Sequence, residues 1–308
     1  KIQEWFDGEG KAFDKGQKLV FFAYHGTNKP PVCYNETSDT FELIDSEVVL
    51  KNVIPWFAET NADYTCPLTE GEVNLPVARN MRGWKLLSDE FLFWTYGTNF
   101  SNYLAPYYSF QATQDTYRFA KEQGAGMIFD ECQIDTEACT GWEELKAYVS
   151  RKLAWNTEED TKQLTEDFFR ASYGCAWERM LKVFREYLDW GREQVLRGFS
   201  GFRSEFIDPV YKLYWSREML ERWDAEMSGA LQDVQQEKDE KQRSVLTRNI
   251  VLERASVRYL LASVFADDMA AADLQKAREA AKKDITDSGI TNFCERHPIG
   301  ELFEKWGV

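Results

Sequence analysis

Histidine is almost missing from this 308-residue chain, which has only His25 and His297. The six cysteines, Cys33, Cys66, Cys132, Cys139, Cys175 and Cys294, stand singly, with no CxxC and no histidine at ligand spacing. That pattern argues against a zinc site or other metal centre and against a dense disulfide framework, and it leans toward a reducing compartment. The one oxidised pair to weigh is Cys132 with Cys139. Long apolar runs are lacking too. Leu19 to Tyr24 and Tyr259 to Ala266 are the longest, far short of the ~20 residues that span a bilayer, so no membrane partner is expected. Basic charge is scarce, with 37 Lys and Arg against 52 Asp and Glu and a net charge of −15. Nothing supplies the basic footprint that phosphate binding needs, so nucleic acid is excluded as a partner. A P-loop, a Gly-rich dinucleotide fingerprint, GxSxG and HExxH are all absent, and no cofactor is implied. The chain starts Lys1-Ile2-Gln3-Glu4, without initiator Met, basic n-region or apolar h-region, so processing or a longer parent is expected.

What is present is aromatic. With 21 Phe, 14 Tyr and 11 Trp, the chain carries far more buriable surface than a disordered one, and a chain of this length buries about 75% of its unfolded surface. Proline is uneven. Six of the eight lie in residues 1–150, and only Pro209 and Pro298 follow, which licenses long helices in the second half. In the first half, four short runs are continuously apolar: Lys18–Tyr24, Asn52–Ala58, Glu90–Tyr96 and Gly126–Phe129. Strands buried on both faces of a parallel sheet read this way. Helical patterns at Val73–Leu87, Ala112–Gln123 and Trp142–Trp155 alternate with them, and Ile2–Phe13 precedes the first. Alternation of helix and strand predicts an α/β fold with parallel strands adjacent in sequence order. Pro55 weakens the second strand, because it removes a ladder donor.

The second half predicts helices. Trp177, Met180, Leu181, Phe184, Tyr187 and Leu188 make one apolar stripe. Leu220, Trp223, Met227, Leu231 and Val234 make a second, and Leu246, Ile250, Val257, Leu260, Leu261 and Val264 a third. All follow the i, i+3, i+4, i+7 spacing of a buried helix face. Thr157 reads as a helix cap followed by acids, Gly174 as that helix's stop, and Gln235–Arg243 as a solvated turn.

Ligands of parallel α/β folds bind at the carboxyl ends of the strands. After the first run come His25, Thr27 and Asn28, and after the second Glu59, Asn61, Asp63 and Tyr64. The third ends in Trp94 and Tyr96, followed by Asn99, Asn102 and Tyr103, and the fourth by Asp130, Glu131 and Gln133. Acids, amides, one histidine and large aromatics together suit a sugar. Carboxylates serve as acid and base, amides bind hydroxyls, and aromatic faces cover the ring. The plainer readings stand beside this one. An acid after a strand also caps turns, a loop histidine is commonly just hydrogen-bonded, and Trp94 and Tyr96 share a strand face that core packing can use. Of the adjacent pair Asp130 and Glu131, only one can face a pocket if the strand still continues there.

The segment Trp94-Thr95-Tyr96-Gly97-Thr98-Asn99-Phe100-Ser101-Asn102-Tyr103-Leu104-Ala105-Pro106 resembles a bacterial family catalogued as domain of unknown function 4838. Gln114–Phe119, Gly126–Phe129, Glu144–Tyr148, Lys152–Trp155, Asp167–Phe169 and Tyr173-Gly174 extend the likeness, as do Ala23-Tyr24 and Lys29-Pro30-Pro31 upstream. It spans roughly residues 17 to 190. The resemblance implies a relative of α-glucuronidases and hexosaminidases with a (β/α)₈ barrel. Four β/α units would then be the C-terminal half of the barrel, over residues 1–155, followed by an all-α domain over 156–308. The upstream half of the same barrel becomes an expected partner, without which the open sheet should aggregate or dimerise. Members often carry Asp where this chain has Thr95, and Glu-Gln where it has Asp130-Glu131. The expected function is glycoside-hydrolase-like, on a carbohydrate, with Glu59, Asp63, Asp130 and Glu131 as catalytic candidates. His25, Trp94, Tyr96, Asn99 and Tyr103 are the expected sugar contacts. Two alternatives belong to other classes: a non-catalytic carbohydrate-binding barrel, and an interaction module working through the helical half.

Overall fold

A computed structural model describes residues 18–49 and 52–308. The Ile2–Phe13 pattern lies outside the described residues. Two compact units emerge: a sheet unit holding residues 18–96 and 112–130, and a helical unit holding residues 97–111 and 131–308.

The sheet unit contains β1 (Leu19–Tyr24), β2 (Val32–Asn35), β3 (Thr40–Leu43), β4 (Val53–Ala58), α1 (Asn74–Leu87), β5 (Phe91–Tyr96), α2 (Thr113–Glu122) and β6, which runs Ala125–Glu131. β1, β4, β5 and β6 form one four-stranded sheet in that order, which is the order of the four apolar runs. β1 pairs with β4 and β4 with β5 in parallel. At the start of β5, the Phe91 N–H donates to Gly124 O at 3.3 Å. Beyond its end, Gly97 N–H donates to Glu131 O at 2.8 Å, so β6 runs the same way. Pro55 is accommodated by position. The ladder from β4 to β5 begins at Trp56, after the residue that has no N–H to give.

One connection departs from the expected β/α alternation. Between β1 and β4 lies no helix but an antiparallel hairpin, β2 with β3. Its turn is built by Asn35, whose Oδ1 accepts the N–H groups of Thr37 (3.0 Å) and Ser38 (3.3 Å), and by Asp39 at φ 51°. Side-chain turn chemistry between two short alternating runs produces a hairpin where sheet order alone suggests a helix. The hairpin region leans on α1 at Gly83, where an added Cβ would stand 2.6 Å from Pro30 Cγ and 3.0 Å from Val32 Cγ2.

The two faces of the sheet differ. Phe21, Ala23, Phe57, Phe91 and Phe93 point to one side, where Phe21 meets Trp84 of α1 edge-on at 5.5 Å. α1 and α2 lie side by side there, with the Lys85 ammonium on the Glu122 carbonyl and the Arg82 guanidinium 5.9 Å from the Phe119 ring. The opposite face carries Val20, Phe22, Trp56 and Trp94, then Met127 and Phe129 by strand alternation. Phe22 stacks on Trp56 at 5.1 Å, and Trp94 lies 5.4 Å from Trp56 and 4.4 Å from Phe129. Yet Phe22 remains 53% exposed and Phe129 41%. Part of this aromatic face therefore remains exposed at Phe22 and Phe129.

The helical unit contains α3 (Glu143–Trp155), α4 (Thr161–Tyr173), α5 (Trp177–Leu196), α6 (Arg217–Asp233), α7 (Glu240–Val264), α8 (Ala271–Ser288) and α9 (Ile299–Trp306). The three predicted stripes bury as expected, led by Met180, Tyr187, Leu220, Ile250 and Leu260, each without exposure. α4 starts at Asp160 rather than Thr157. The Asp160 carboxylate accepts the N–H groups of Lys162 and Gln163, and a carboxylate at the helix start also suits its dipole. Gly174, at φ 52°, ends it. The sequence division at 155/156 differs from the compact units. α3 belongs with the helices because the Trp142 ring before it packs on Phe169 at 5.8 Å and Phe184 at 5.2 Å. Residues beyond 156 are also not wholly helical, since Asn292–Cys294 (β7) and His297–Pro298 (β8) form a short antiparallel pair. All six cysteines are free thiols, so Cys132 and Cys139 are not bonded.

Gly191, inside α5, has a packing reason. A Cβ there would fall 2.1 Å from the ring of Tyr108. Gly191→Ala is expected to lower stability by ~1–3 kcal/mol despite its better helix propensity. Urea unfolding followed by helix signal checks it, and a gain in stability would refute the contact.

Candidate functional site

At the carboxyl end of β4, Glu59 is buried to 3% exposure and held from two sides. Its Oε1 accepts the Asn61 backbone N–H (3.0 Å) and side-chain amide (2.9 Å). Its Oε2 accepts the Asn28 amide at 2.5 Å. Asn28 is positioned in turn by its carbonyl, which accepts the indole N–H of Trp84 at 2.7 Å. Tyr64 donates its hydroxyl to the Glu59 carbonyl at 2.7 Å, and its ring lies 5.8 Å from Tyr96. Strand ends of β1, β4 and β5 thus meet around one carboxylate. The arrangement fixes the position of a charge and lays aromatic surface next to it.

Asp63, 4% exposed, faces other partners. Its Oδ1 accepts the Thr65 N–H (2.9 Å) and hydroxyl (2.5 Å). Its backbone is clasped by Asn74, which accepts the Asp63 N–H at 2.7 Å and donates to the Asp63 carbonyl at 2.8 Å. Asp63 therefore shapes the turn into α1. His25 sits on the rim, exposed, at φ 46° and with its ring 3.8 Å from that of Tyr24. Trp94, half-buried, belongs to the aromatic face of the sheet with Phe22 and Trp56, and Tyr96 lies 6.3 Å from it. Thr95 points to the opposite, helix-covered side with Phe93 and is 5% exposed. An acid at that position would not stand on the aromatic face.

Asp130 and Glu131 are the last two residues of β6 itself, so strand alternation separates them. Glu131 follows Met127 and Phe129, and Asp130 follows Ile128. Both are half-buried.

In the helical unit, Asn99 donates to the carbonyls of Ser204 (3.2 Å) and Ile207 (2.8 Å). It accepts the N–H groups of Ser101 (2.9 Å) and Asn102 (3.1 Å). Asn102 donates to Asp208 and to the Tyr259 hydroxyl, and accepts from Leu104 and Ala105. Tyr103 is fully buried, and burial drives its phenol pKa well up. The asparagines of this segment fold a loop and tie it to helical partners. Sequence reading placed Asn28, Asn61 and Tyr64 at strand ends but could not pair them with Glu59. It missed Lys146 and Glu253, whose one signal was a charge on an otherwise apolar helix face.

Among the described residues, no three His, Cys, Asp or Glu side chains gather to hold a metal ion. Nor is any described helix long and apolar enough to cross a membrane. The family described as "Domain of unknown function (DUF4838)" matches residues 18–189, more than half of the chain. No curated protein and no solved structure matches it.

Proposed function

Starting from a chain that belongs to the DUF4838 family, we propose that it forms the second half of a (β/α)₈ barrel acting on a glycoside. The sheet supports the barrel half of this reading. Strands follow one another in sequence order, and α1 and α2 share one face. A sheet wound on one side only cannot cover its other face by its own crossovers, whereas all-parallel sheets are normally covered on both. Further parallel strands, from the upstream half, would turn the Phe22, Trp56, Trp94 and Phe129 cluster into barrel interior.

Glu59 carries the functional half. A buried carboxylate at a strand's carboxyl end, fixed by two amides and bordered by Tyr64 and Tyr96, is the group expected to act as acid, base or nucleophile on a sugar. His25 and Trp94, at or near the carboxyl ends of β1 and β5, the strands that neighbour β4, are candidate sugar contacts. A binding barrel without catalysis is the second reading. It is favoured by the occupation of both Glu59 oxygens by amide donors.

The test uses the protein with its upstream half, on a panel of aryl glycosides and glucuronides. Glu59→Gln is expected to lower kcat by ~10²–10⁴, with KM nearly unchanged. Asp63→Asn, Asp130→Asn and Glu131→Gln are measured alongside. Activity that survives all four changes overturns the catalytic reading. Sugar binding without turnover leaves the binding barrel.

A further inference from the structure

Residues 132–142, the loop from β6 to α3, are fastened to α7 at two neighbouring points. The Thr140 hydroxyl donates to Leu252 O at 2.6 Å, and the Trp142 N–H donates to Glu253 Oε2 at 2.9 Å. Inside the loop, the Gln133 amide bridges both backbone groups of Thr140, accepting its N–H at 3.2 Å and donating to its carbonyl at 2.9 Å. The turn at the second point is unusual. Gly141 has φ 73° and Trp142 φ 67°, a region that a bulky side chain seldom adopts. A Cβ on Gly141 would stand 2.9 Å from Pro106 Cα. Bonds to Glu253, which is 4% exposed, help hold that turn.

We propose that Glu253 is a proton-dependent latch, closing the loop onto α7 when protonated and letting it open more readily as its proton is lost. The groups around it favour the protonated form. Acidic Glu143 and Glu144 face it from α3, the phenols of Tyr173 and Tyr187 from α4 and α5, and the Cys139 thiol from the loop. The ammonium of Lys146 is engaged by Glu143 and the Gly97 carbonyl. Burial first, then the two acids, push the Glu253 carboxyl up to about 8, against the pull of the Trp142 and Gly141 N–H groups. Between its ordinary value of 4.5 and 8, the closed form therefore keeps a proton that an open, solvated form releases. Closure is strongest at low pH and weakens as pH rises through that window.

Amide hydrogen exchange at Trp142, corrected for intrinsic rates, reads the opening equilibrium. One released proton predicts a rise of about tenfold per pH unit from pH 5 to 8, roughly 10³-fold in all, and a plateau above. In Glu253→Gln the opening should be independent of pH. The same slope in that variant, or no slope in the parent, overturns the latch. Should Glu253→Gln fail to fold, Glu144→Gln decides. It removes an exposed acid that raises the Glu253 pKa, so the carboxyl titration seen by NMR must shift to lower pH. An unmoved titration also overturns the proposal.

Discussion

Replacing Asp284 with Ala is expected to destabilise the helical unit by ~3–5 kcal/mol, the range for removing one partner of a buried ion pair. Asp284, on α8, is 1% exposed and receives two arginines of α7. Arg254 binds it bidentately, Nε to Oδ2 at 2.8 Å and Nη2 to Oδ1 at 2.9 Å, and Arg258 Nη1 reaches Oδ2 at 3.1 Å. Arg258 also donates to Asp224 of α6 at 2.8 Å, so the Asp284 carboxylate joins α8 to α7 and the Arg258 guanidinium extends the network to α6. Its removal leaves the Arg254 guanidinium, whose side chain is 12% exposed, without the fork it was oriented to fill. Asp224→Ala should cost far less. That pair is 22% and 26% exposed, and water there takes over part of the lost contact. Thermal and urea unfolding monitored by far-ultraviolet circular dichroism measure both. Equal losses for the two changes, or a loss below ~1 kcal/mol for Asp284→Ala, would mean that the buried fork does not hold these helices.

Lys146→Met should have an effect of similar size, again ~3–5 kcal/mol. The Lys146 ammonium lies 2.5 Å from Glu143 Oε1 and 2.9 Å from the carbonyl of Gly97. Its side chain is 6% exposed and that of Glu143 2%. Methionine fills the same space but leaves the carboxylate buried without its cation and the carbonyl with only the Ser109 hydroxyl, at 3.0 Å. Adding Glu143→Leu should recover most of the loss, because a well-packed apolar pair avoids the desolvation that both charges suffer. A double-mutant cycle gives the coupling. If the double variant is no more stable than Lys146→Met alone, the charge pair is not the cause.

Both networks show where sequence reading stops. Asp284 lies on a helix whose charged residues look like a solvated face, and Lys146 looks like one half of an ordinary i, i+3 pair. Nothing within a turn or two of Asp284 says that another helix will cover it, and for Lys146 the one hint is a charge on an otherwise apolar helix face. The strand-end reading met the same limit. Glu59 and Asp63 look alike in sequence, two acids after one strand. Only the approach of Asn28 from the β1 end, and of Asn74 from α1, makes one the centre of a cluster and the other a turn-former.

What the sequence determined by itself was the set of elements with strong periodicity. The runs at 19–24, 53–58 and 91–96 became strands within a residue of their apolar limits. The stripes of α5, α6 and α7 became buried helix faces. These outcomes are local, since a side-chain period of two or 3.6 selects a backbone before any distant contact forms. The order of the four strands follows almost as directly, from short connections between parallel neighbours. Tertiary structure decided the rest. It placed a hairpin in the first crossover, where turn hydrogen bonds from Asn35 outweighed the expected alternation. It moved α3 into the helical unit, because Trp142 has its aromatic partners there. It separated Asp130 from Glu131 by continuing β6 to residue 131. And it chose which charges would be buried, because that choice depends on what covers a side chain from another element, and no spacing along the chain records it.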